Sequence, residues 1–411
     1  MSAFEILATI LVIVAIGGYV NYRYFKMPAS IGHMVFALGV SVASVILGQT
    51  GILDIPAQIV DTIDFSSLML HGLLGFLLFA GALHIRVDDL RDVKSAVAVL
   101  ASLGVVIATL VTGTLVWFLA GLVGLDVPFD AAILFGALIS PTDPIAVLAI
   151  LKEAGASKRL YAKIGGESLF NDGIAVVVFL TILGAMNNTG PQTPLTVLVT
   201  LVREALGGGL LGFGLGWLAY RLLASVNDYK VEVMITLALV AGGYALAEHI
   251  HVSAPICMVV AGLVIGHHGR IWGMSEVTRH HLYIFWELLD EILNAVLFML
   301  VGLQILLVTI TAGHLVLGFL AILAVLLGRY ISVGLPISIM RLRSSFEHGT
   351  VRLLTWGGLR GGISVALALS LPPGPEKAII LPVTYIVVLF SILVQGLTFR
   401  RLVERLQKTE K

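Results

Sequence analysis

The chain has 411 residues, of which 58% are hydrophobic and only 12% charged, with a mean hydropathy of +1.02. Soluble domains carry about 25% charged residues, and a water-exposed globule has no means of hiding this much apolar surface, so lipid solvates most of the chain. The 25 basic and 25 acidic residues balance, which leaves no electrostatic footprint for nucleic acid, and the single cysteine, Cys257, excludes an internal disulfide and a cysteine-based metal centre.

A bilayer crossing takes about 20 mostly apolar residues. Such segments run, in chain order, over 3–22, 29–49, 66–85, 95–120, 129–150, 165–186, 195–224, 231–249, 254–268, 285–307, 313–340, 353–371 and 378–399. They predict an all-α polytopic membrane protein of about 13 transmembrane helices, a single integral domain over residues 1–400. The first segment lacks a basic n-region and a cleavage site, so it reads as a span and not as a removed signal peptide. Residues 51–64 hold Asp54, Asp61, Asp64 and Pro56 and predict a loop or surface helix. Residues 401–411 form a short polar tail, too short for a regulatory domain.

Lysine and arginine set the orientation. With the N-terminus outside, every basic residue falls on the cytoplasmic side except Arg203 and Lys377 outside and Arg329 and Arg360 within spans. That asymmetry predicts an N-out, C-in topology with an odd number of spans.

Two spans are interrupted in their middles. The fifth reads GALISPTDPIAVL, where Pro141 and Pro144 bracket Thr142 and Asp143; each proline removes a backbone donor and crowds the preceding turn. The twelfth reads WGGLRGGISVA, with Gly357, Gly358, Gly361 and Gly362 around Arg360. Irregular backbone at that depth is tolerated only inside protein or beside a watery cavity. The two interruptions are seven spans apart and so run in opposite senses. This predicts two inverted six-helix repeats, about 1–190 and 228–400, joined by a linker helix at about 195–224, with the broken helices crossing at a transporter's binding site.

Each ionisable residue at mid-membrane costs about 2.5–3.5 kcal/mol and asks for a reason. The fifth span holds Asp143, the sixth Glu167 and Asp172, the tenth Glu287, Asp290 and Glu291 followed by Asn294, and the eleventh and twelfth Arg329 and Arg360. Helical spacing puts Ser168 and Asp172 on one face, and Glu167 and Asn171 on a face one residue step round. Ser168 and Asp172 can then offer oxygens to one cation, with backbone carbonyls from an unwound Thr142-Asp143, while Glu167 and Asn171 hold a neighbouring helix. Hard oxygen donors with no nearby His or Cys suit an alkali cation. A buried carboxyl balanced between desolvation and nearby positive charge can trade its proton for a cation near neutral pH. Structural ion pairing is the competing reading, and it is favoured for Glu167, because Arg329 and Arg360 need partners.

The motifs TDP at 142–144, GESLFNDG at 166–173 and GGLRGGISVALALSLP at 357–372 together resemble the NhaP/NHE branch of the cation/proton antiporters, over essentially the whole chain. The resemblance implies a homodimer with a dimerisation domain and a six-helix ion-binding core. It makes Asp143 and Asp172 the ion- and proton-binding carboxylates, Ser168 a ligand hydroxyl and Thr142 a ligand near the crossing. It makes Asn171 the asparagine that precedes the essential aspartate, Glu167 a structural glutamate paired with Arg329, and Arg360 the arginine of the unwound span. The Asn-Asp pair resembles the electroneutral, one-for-one exchangers. The short tail resembles bacterial or archaeal members, located in the cell (inner) membrane. The third span, LLFAGALHI, has no acid where some relatives carry a glutamate.

The function so implied is exchange of Na+, and also Li+, for H+ by alternating access, with no cofactor and no catalytic residue; K+/H+ exchange on the same scaffold is the rival. A cation channel fits less well, since no filter-like repeat is present. A serine protease built on Ser168 with His249 ignores both broken helices, and no H-E-x-x-H metalloprotease motif occurs. Smaller features carry two readings each. His267-His268 and His280-His281 are a pH sensor or ordinary solvated residues; Glu287, Asp290 and Glu291 are a cation-attracting funnel or interfacial charges. The Gly208, Gly212, Gly216 stripe marks close helix packing or a dimer contact. Asn187 begins an N-x-T sequon with no expected consequence in a prokaryote.

Overall fold

The computed structural model describes residues 3–48, 65–153, 155, 157–187, 193–267, 276–342, 346–347 and 349–409. The expected loop at 51–64, His268 and the sequon beyond Asn187 lie outside the described residues. The helices in order are α1 (Ala3–Val20), α2 (Ala29–Gly48), α3 (Phe65–His84), α4 (Val87–Arg91), α5 (Lys94–Val123), α6 (Phe129–Leu138), α7 (Ile145–Glu153), α8 (Lys158–Met186) and α9 (Pro194–Leu223). They continue with α10 (Tyr229–His249), α11 (Ala254–Val264), α12 (Glu276–Leu303), α13 (Ala312–Met340), α14 (Thr350–Trp356), α15 (Gly362–Leu369), α16 (Pro375–Phe390) and α17 (Leu397–Thr409). Among the described residues there is no β-strand, only an isolated antiparallel bridge between Asp143 and Leu359.

Eight helical stretches among the described residues are long and apolar enough to cross a membrane. The other predicted spans fall short in length or in apolar content, the second, α2, with its apolar stretch limited to Ile31–Ala43. The fifth predicted span is split into α6 and α7, and the twelfth into α14 and α15. The ninth is the short α11, and the tenth carries three acids on α12.

Local chemistry fixes several helix starts. Ser157 caps α8 by accepting the Leu160 N–H at 3.1 Å, so that helix begins seven residues before the predicted 165. Thr193 and Thr196 form a capping box ahead of α9, with Pro194 at its first position. Helix α12 starts at Glu276 and not at 285, because no breaker lies between its polar start and its apolar end; Glu287, Asp290 and Glu291 therefore sit within a continuous helix. The tail is helical too: α17 runs to Thr409 and buries Phe399 and Val403 against the Leu353 and Leu354 side of α14.

The packing has two parts. Helices α5 and α13 lie along each other at the centre; α5 also packs on α6 and α8, and α13 on α14 and α16. Elsewhere α11 packs on α3 and α9, while α12 packs on α2. The glycine stripe of α9 is used inside this chain. A Cβ at Gly208 or Gly212 would overlap the Ser253 and Cys257 carbonyls, and one at Gly216 would lie 3.0 Å from Ala261 Cα. The stripe is therefore the close-packing seam between α9 and α11.

Candidate ion-binding site

The two interruptions meet. After α6 the backbone is extended through Thr142 and Asp143, and after α14 it is extended through Leu359 to Gly361. Asp143 N–H donates to the Leu359 carbonyl at 2.7 Å, which joins the two segments antiparallel. The approach is close enough that a Cβ on Gly361 would lie 2.9 Å from both Asp143 Cβ and Oδ2. Four half-helix ends converge at this crossing: the carbonyl ends of α6 and α14 and the N–H ends of α7 and α15. Partial negative charge gathers at the first pair and partial positive charge at the second.

Arg360 answers the negative ends. Its Nη1 donates to the Ser140 carbonyl at 2.6 Å and the Pro141 carbonyl at 3.1 Å, both just past α6. Its own backbone N–H donates to Ser391 Oγ at 2.8 Å. Arg329, on α13, donates from Nε to the Leu354 carbonyl on α14 at 3.3 Å. The same guanidinium grips Glu167 in a fork, Nη1 to Oε1 at 2.8 Å and Nη2 to Oε2 at 2.7 Å. Bidentate pairing of this kind makes the burial of both charges tolerable.

Helix α8 presents its two polar faces as the spacing implies. Asn171 Nδ2 donates to Glu167 Oε1 at 2.8 Å and to Thr142 Oγ1 at 2.7 Å, and its Oδ1 accepts the Thr142 N–H at 3.3 Å. Asn171 thus holds the unwound segment of the fifth span at both a backbone and a side-chain atom. Ser168 Oγ donates to the Thr142 carbonyl and lies 3.1 Å from Thr142 Oγ1. Asp172, one turn on from Ser168, is buried, and its Oδ1 has no hydrogen-bond partner among the described residues. Arg360 Nε is likewise buried and unmatched. Buried polar atoms are nearly always satisfied, so an unmatched carboxylate oxygen beside an opened backbone is a candidate acceptor for a cation or a proton.

A cavity of about 510 Å³ reaches this point. Thr142, Asp143 and Asp172 line it, together with Lys152, Tyr161 and Glu287. Asp290, Glu291 and Asn294 of α12 line it as well. The structure therefore brings Thr142, Asp143, Ser168, Asn171, Asp172 and Arg360 together, with the Glu167–Arg329 pair directly behind. Among the described residues no group of three or more His, Cys, Asp or Glu could by itself hold a metal ion; hydroxyl and carbonyl oxygens must complete any cation shell here. Sequence reasoning missed the Ser140 and Pro141 carbonyls and the Ser391 hydroxyl as partners of Arg360. Only Ser391 left a signal, as a polar residue inside an apolar run.

An all-helical, multi-pass bundle with two broken helices crossing beside a buried carboxylate defines a membrane transporter and not an enzyme. The transmembrane sodium/hydrogen exchanger family matches residues 10–405, and the chain belongs to that family. It is 50% identical over 413 residues to the Na(+)/H(+) antiporter NhaP of Pseudomonas aeruginosa, covering 99% of this chain and 96% of that one. It is 37% identical over 394 residues to the Na(+)/H(+) antiporter NhaH of Halobacillus dabanensis, with 93% of each chain covered. The sodium proton antiporter MjNhaP1 of Methanocaldococcus jannaschii has the same fold, with a TM-score of 0.75 over 99% of both chains at 19% identity. A second structure of that protein, at pH 8, gives a TM-score of 0.68 over 92% of this chain and 98% of that one, at 20% identity. Together with the apolar helices, these relatives make the chain a multi-pass protein of the cell membrane.

Proposed function

We propose that this chain exchanges sodium, and also lithium, for protons across the cytoplasmic membrane, with Asp172 as the carboxylate that both ions share. The observation that carries the reading is the buried, unmatched Oδ1 of Asp172 at the head of a cavity and against the crossing. The names of the relatives supply the substrates. Thr142, Ser168 and Asp143 complete the cation's oxygen shell, hard donors suited to an alkali ion. Cytoplasmic sodium displaces the Asp172 proton, the crossing helices move against the rest of the bundle, sodium leaves outside, and reprotonation returns the site.

The stoichiometry follows from Asn171. That residue cannot titrate, and it is committed to Glu167 and Thr142, so one carboxylate at the pair trades one proton for one cation and no net charge moves. The proposed topology has about 13 spans, N-out and C-in. Its inverted repeats are supported by matched packing: α5 sits against α8 as α13 sits against α16, and α3 against α11 as α12 against α2. In this arrangement α9 is the linker between repeats, and the protein works as a homodimer.

The test uses purified protein in liposomes with an imposed pH gradient and an internal pH dye. Sodium, lithium or potassium is added, with and without a potassium/valinomycin clamp. The expected result is a sodium- and lithium-driven pH change, insensitive to voltage and absent in Asp172→Asn. A response to potassium alone transfers the protein to the rival substrate, and full transport in Asp172→Asn removes the carboxylate from its role. The pH dependence has a definite sign. Proton and cation exclude one another, so half-saturating sodium rises as pH falls, by at most about tenfold per unit, while the saturating rate holds.

A further inference from the structure

The strongest feature outside the crossing is on α12. Asn294 is buried, 5% exposed. Its Nδ2 donates to the Asp290 backbone carbonyl at 2.8 Å and to Asp290 Oδ1 at 3.0 Å. That leaves the Asn294 Oδ1 acceptor, which has no hydrogen-bond partner among the described residues. Both residues line the cavity that holds Asp143 and Asp172. Both also line a second cavity, of about 500 Å³, which is walled by Met27, His33, Ala149 and Arg400. The pair thus stands where two cavities adjoin, on a different helix from the site at the crossing.

A carboxylate and an amide oxygen four residues apart lie on one helix face. Both are hard donors. The amide hydrogens of Asn294 are spent on Asp290, which fixes the flip of the amide and leaves its oxygen unmatched. An acceptor held like this, buried and next to a carboxylate, is a hard donor of the kind a partly hydrated monovalent cation takes. The exposed neighbours Glu287 and Glu291 add negative potential but no comparable unmatched atom.

We infer that Asp290 and Asn294 form a second cation-binding site, at which a monovalent cation waits before it passes to Asp172. The site takes sodium or lithium on the α12 wall, loses part of its water there, and hands the ion across the cavity to the Thr142, Asp143, Asp172 group. The proposal rests on the reading of Asp172 as the exchange site, and the two fail differently. A waiting site in the same cavity is loaded while Asp172 is still protonated, so sodium arrives at Asp172 from within the cavity when the proton leaves.

The experiment measures saturable 22Na+ binding to full-length protein in detergent, together with sodium-driven transport in liposomes. Wild type is expected to bind a second sodium ion per chain beyond the one lost in Asp172→Asn, and Asp172→Asn is expected to keep that second ion. Asp290→Asn and Asn294→Ala are each expected to lose it and to raise half-saturating sodium about tenfold at an unchanged saturating rate. Asn294→Ala is decisive because it alters no charge: if Asp290 acted only by attracting cations at a distance, this variant would keep the wild-type half-saturation, and that result overturns the site. Loss of all saturable binding in Asp172→Asn also overturns it and leaves the Asp172 reading intact. Wild-type binding and transport in Asp172→Asn, with one ion lost in Asp290→Asn, keeps the second site and removes the reading of Asp172.

Discussion

Glu167 and Asp172 are carboxylates five residues apart on one helix, 1% and 5% exposed, and their surroundings are opposite. Glu167 has both oxygens taken by Arg329 and one of them shared with Asn171. Asp172 has an oxygen, Oδ1, with no partner among the described residues. The first region is saturated: α8, α13 and α14 are tied through one guanidinium. The second is left open, where two backbones are unwound and a cavity arrives. Burial alone therefore says little about role. Glu167, with both acceptors matched, is built to hold helices together, while the unmatched acceptor of Asp172, beside the unwound backbone and the cavity, is what supports the proposed exchange role.

The largest effect that tests this contrast is functional. Asp172→Asn is expected to lower sodium-driven exchange at least about a hundredfold, since it removes the group proposed to carry the proton. Its melting temperature in detergent should stay within about 2 °C of wild type, because asparagine keeps the shape and an acceptor oxygen, and Asp172 Oδ1 has no partner among the described residues to lose. A variant that fails to fold would mean that Asp172 belongs with the saturated region.

Glu167→Gln is the opposite case. Breaking one side of a buried ion pair strands the other charge and costs about 3–5 kcal/mol, so protein should vanish from the membrane fraction before any change in ion affinity can be measured. Glu167→Gln with Arg329→Met, which removes both charges, should recover part of the yield. Well-folded but inactive Glu167→Gln protein would contradict a structural role and erase the distinction between the two acids.

Much of this contrast was legible in the chain. Pro141, Pro144 and the four glycines around Arg360 marked where backbone would open. The four-residue spacing within GESLFNDG separated Ser168 and Asp172 from Glu167 and Asn171. What stayed hidden needed tertiary proximity. Ser391 meets the Arg360 backbone only because the end of the thirteenth span returns to the crossing, and Asn294 gains meaning only from the cavity it lines. Helix limits at Lys158, Glu276 and Thr409 also escaped, because continuous helical sequence with no breaker carries no mark of where the apolar run should stop.

A smaller effect probes the crossing that keeps the open region open. Gly361 has no Cβ, and an added one would lie 2.9 Å from Asp143 Cβ and Oδ2. Overpacking of this kind costs about 1–3 kcal/mol, and here the strain falls on the bridge between Asp143 and Leu359. Gly361→Ala should slow exchange about tenfold with a moderate drop in melting temperature, a mixed phenotype between the two acids. Gly334→Ala makes a suitable comparison, since the nearest atom to its added Cβ is Val351 Cγ1 at 3.7 Å, and it should behave as wild type.

The smallest effect is the most diagnostic of how the open region holds an ion. Ser168 spends its hydrogen on the Thr142 carbonyl, which leaves lone pairs on Oγ for a cation. Ser168→Ala removes that oxygen, but it also releases the Thr142 carbonyl, which can then turn to the ion in its place. In the proposed site one ligand is lost and another is freed, so the net cost should be close to that of a single neutral hydrogen bond, about 1 kcal/mol. Half-saturating sodium should therefore rise about fivefold with the saturating rate kept. Lithium, with its shorter oxygen distances, should suffer more than sodium, so the ratio of the two half-saturation values should shift. An equal loss for both ions would place Ser168 with Glu167, as a group that holds the unwound segment, and would leave the cation to Asp143, Asp172 and backbone carbonyls alone.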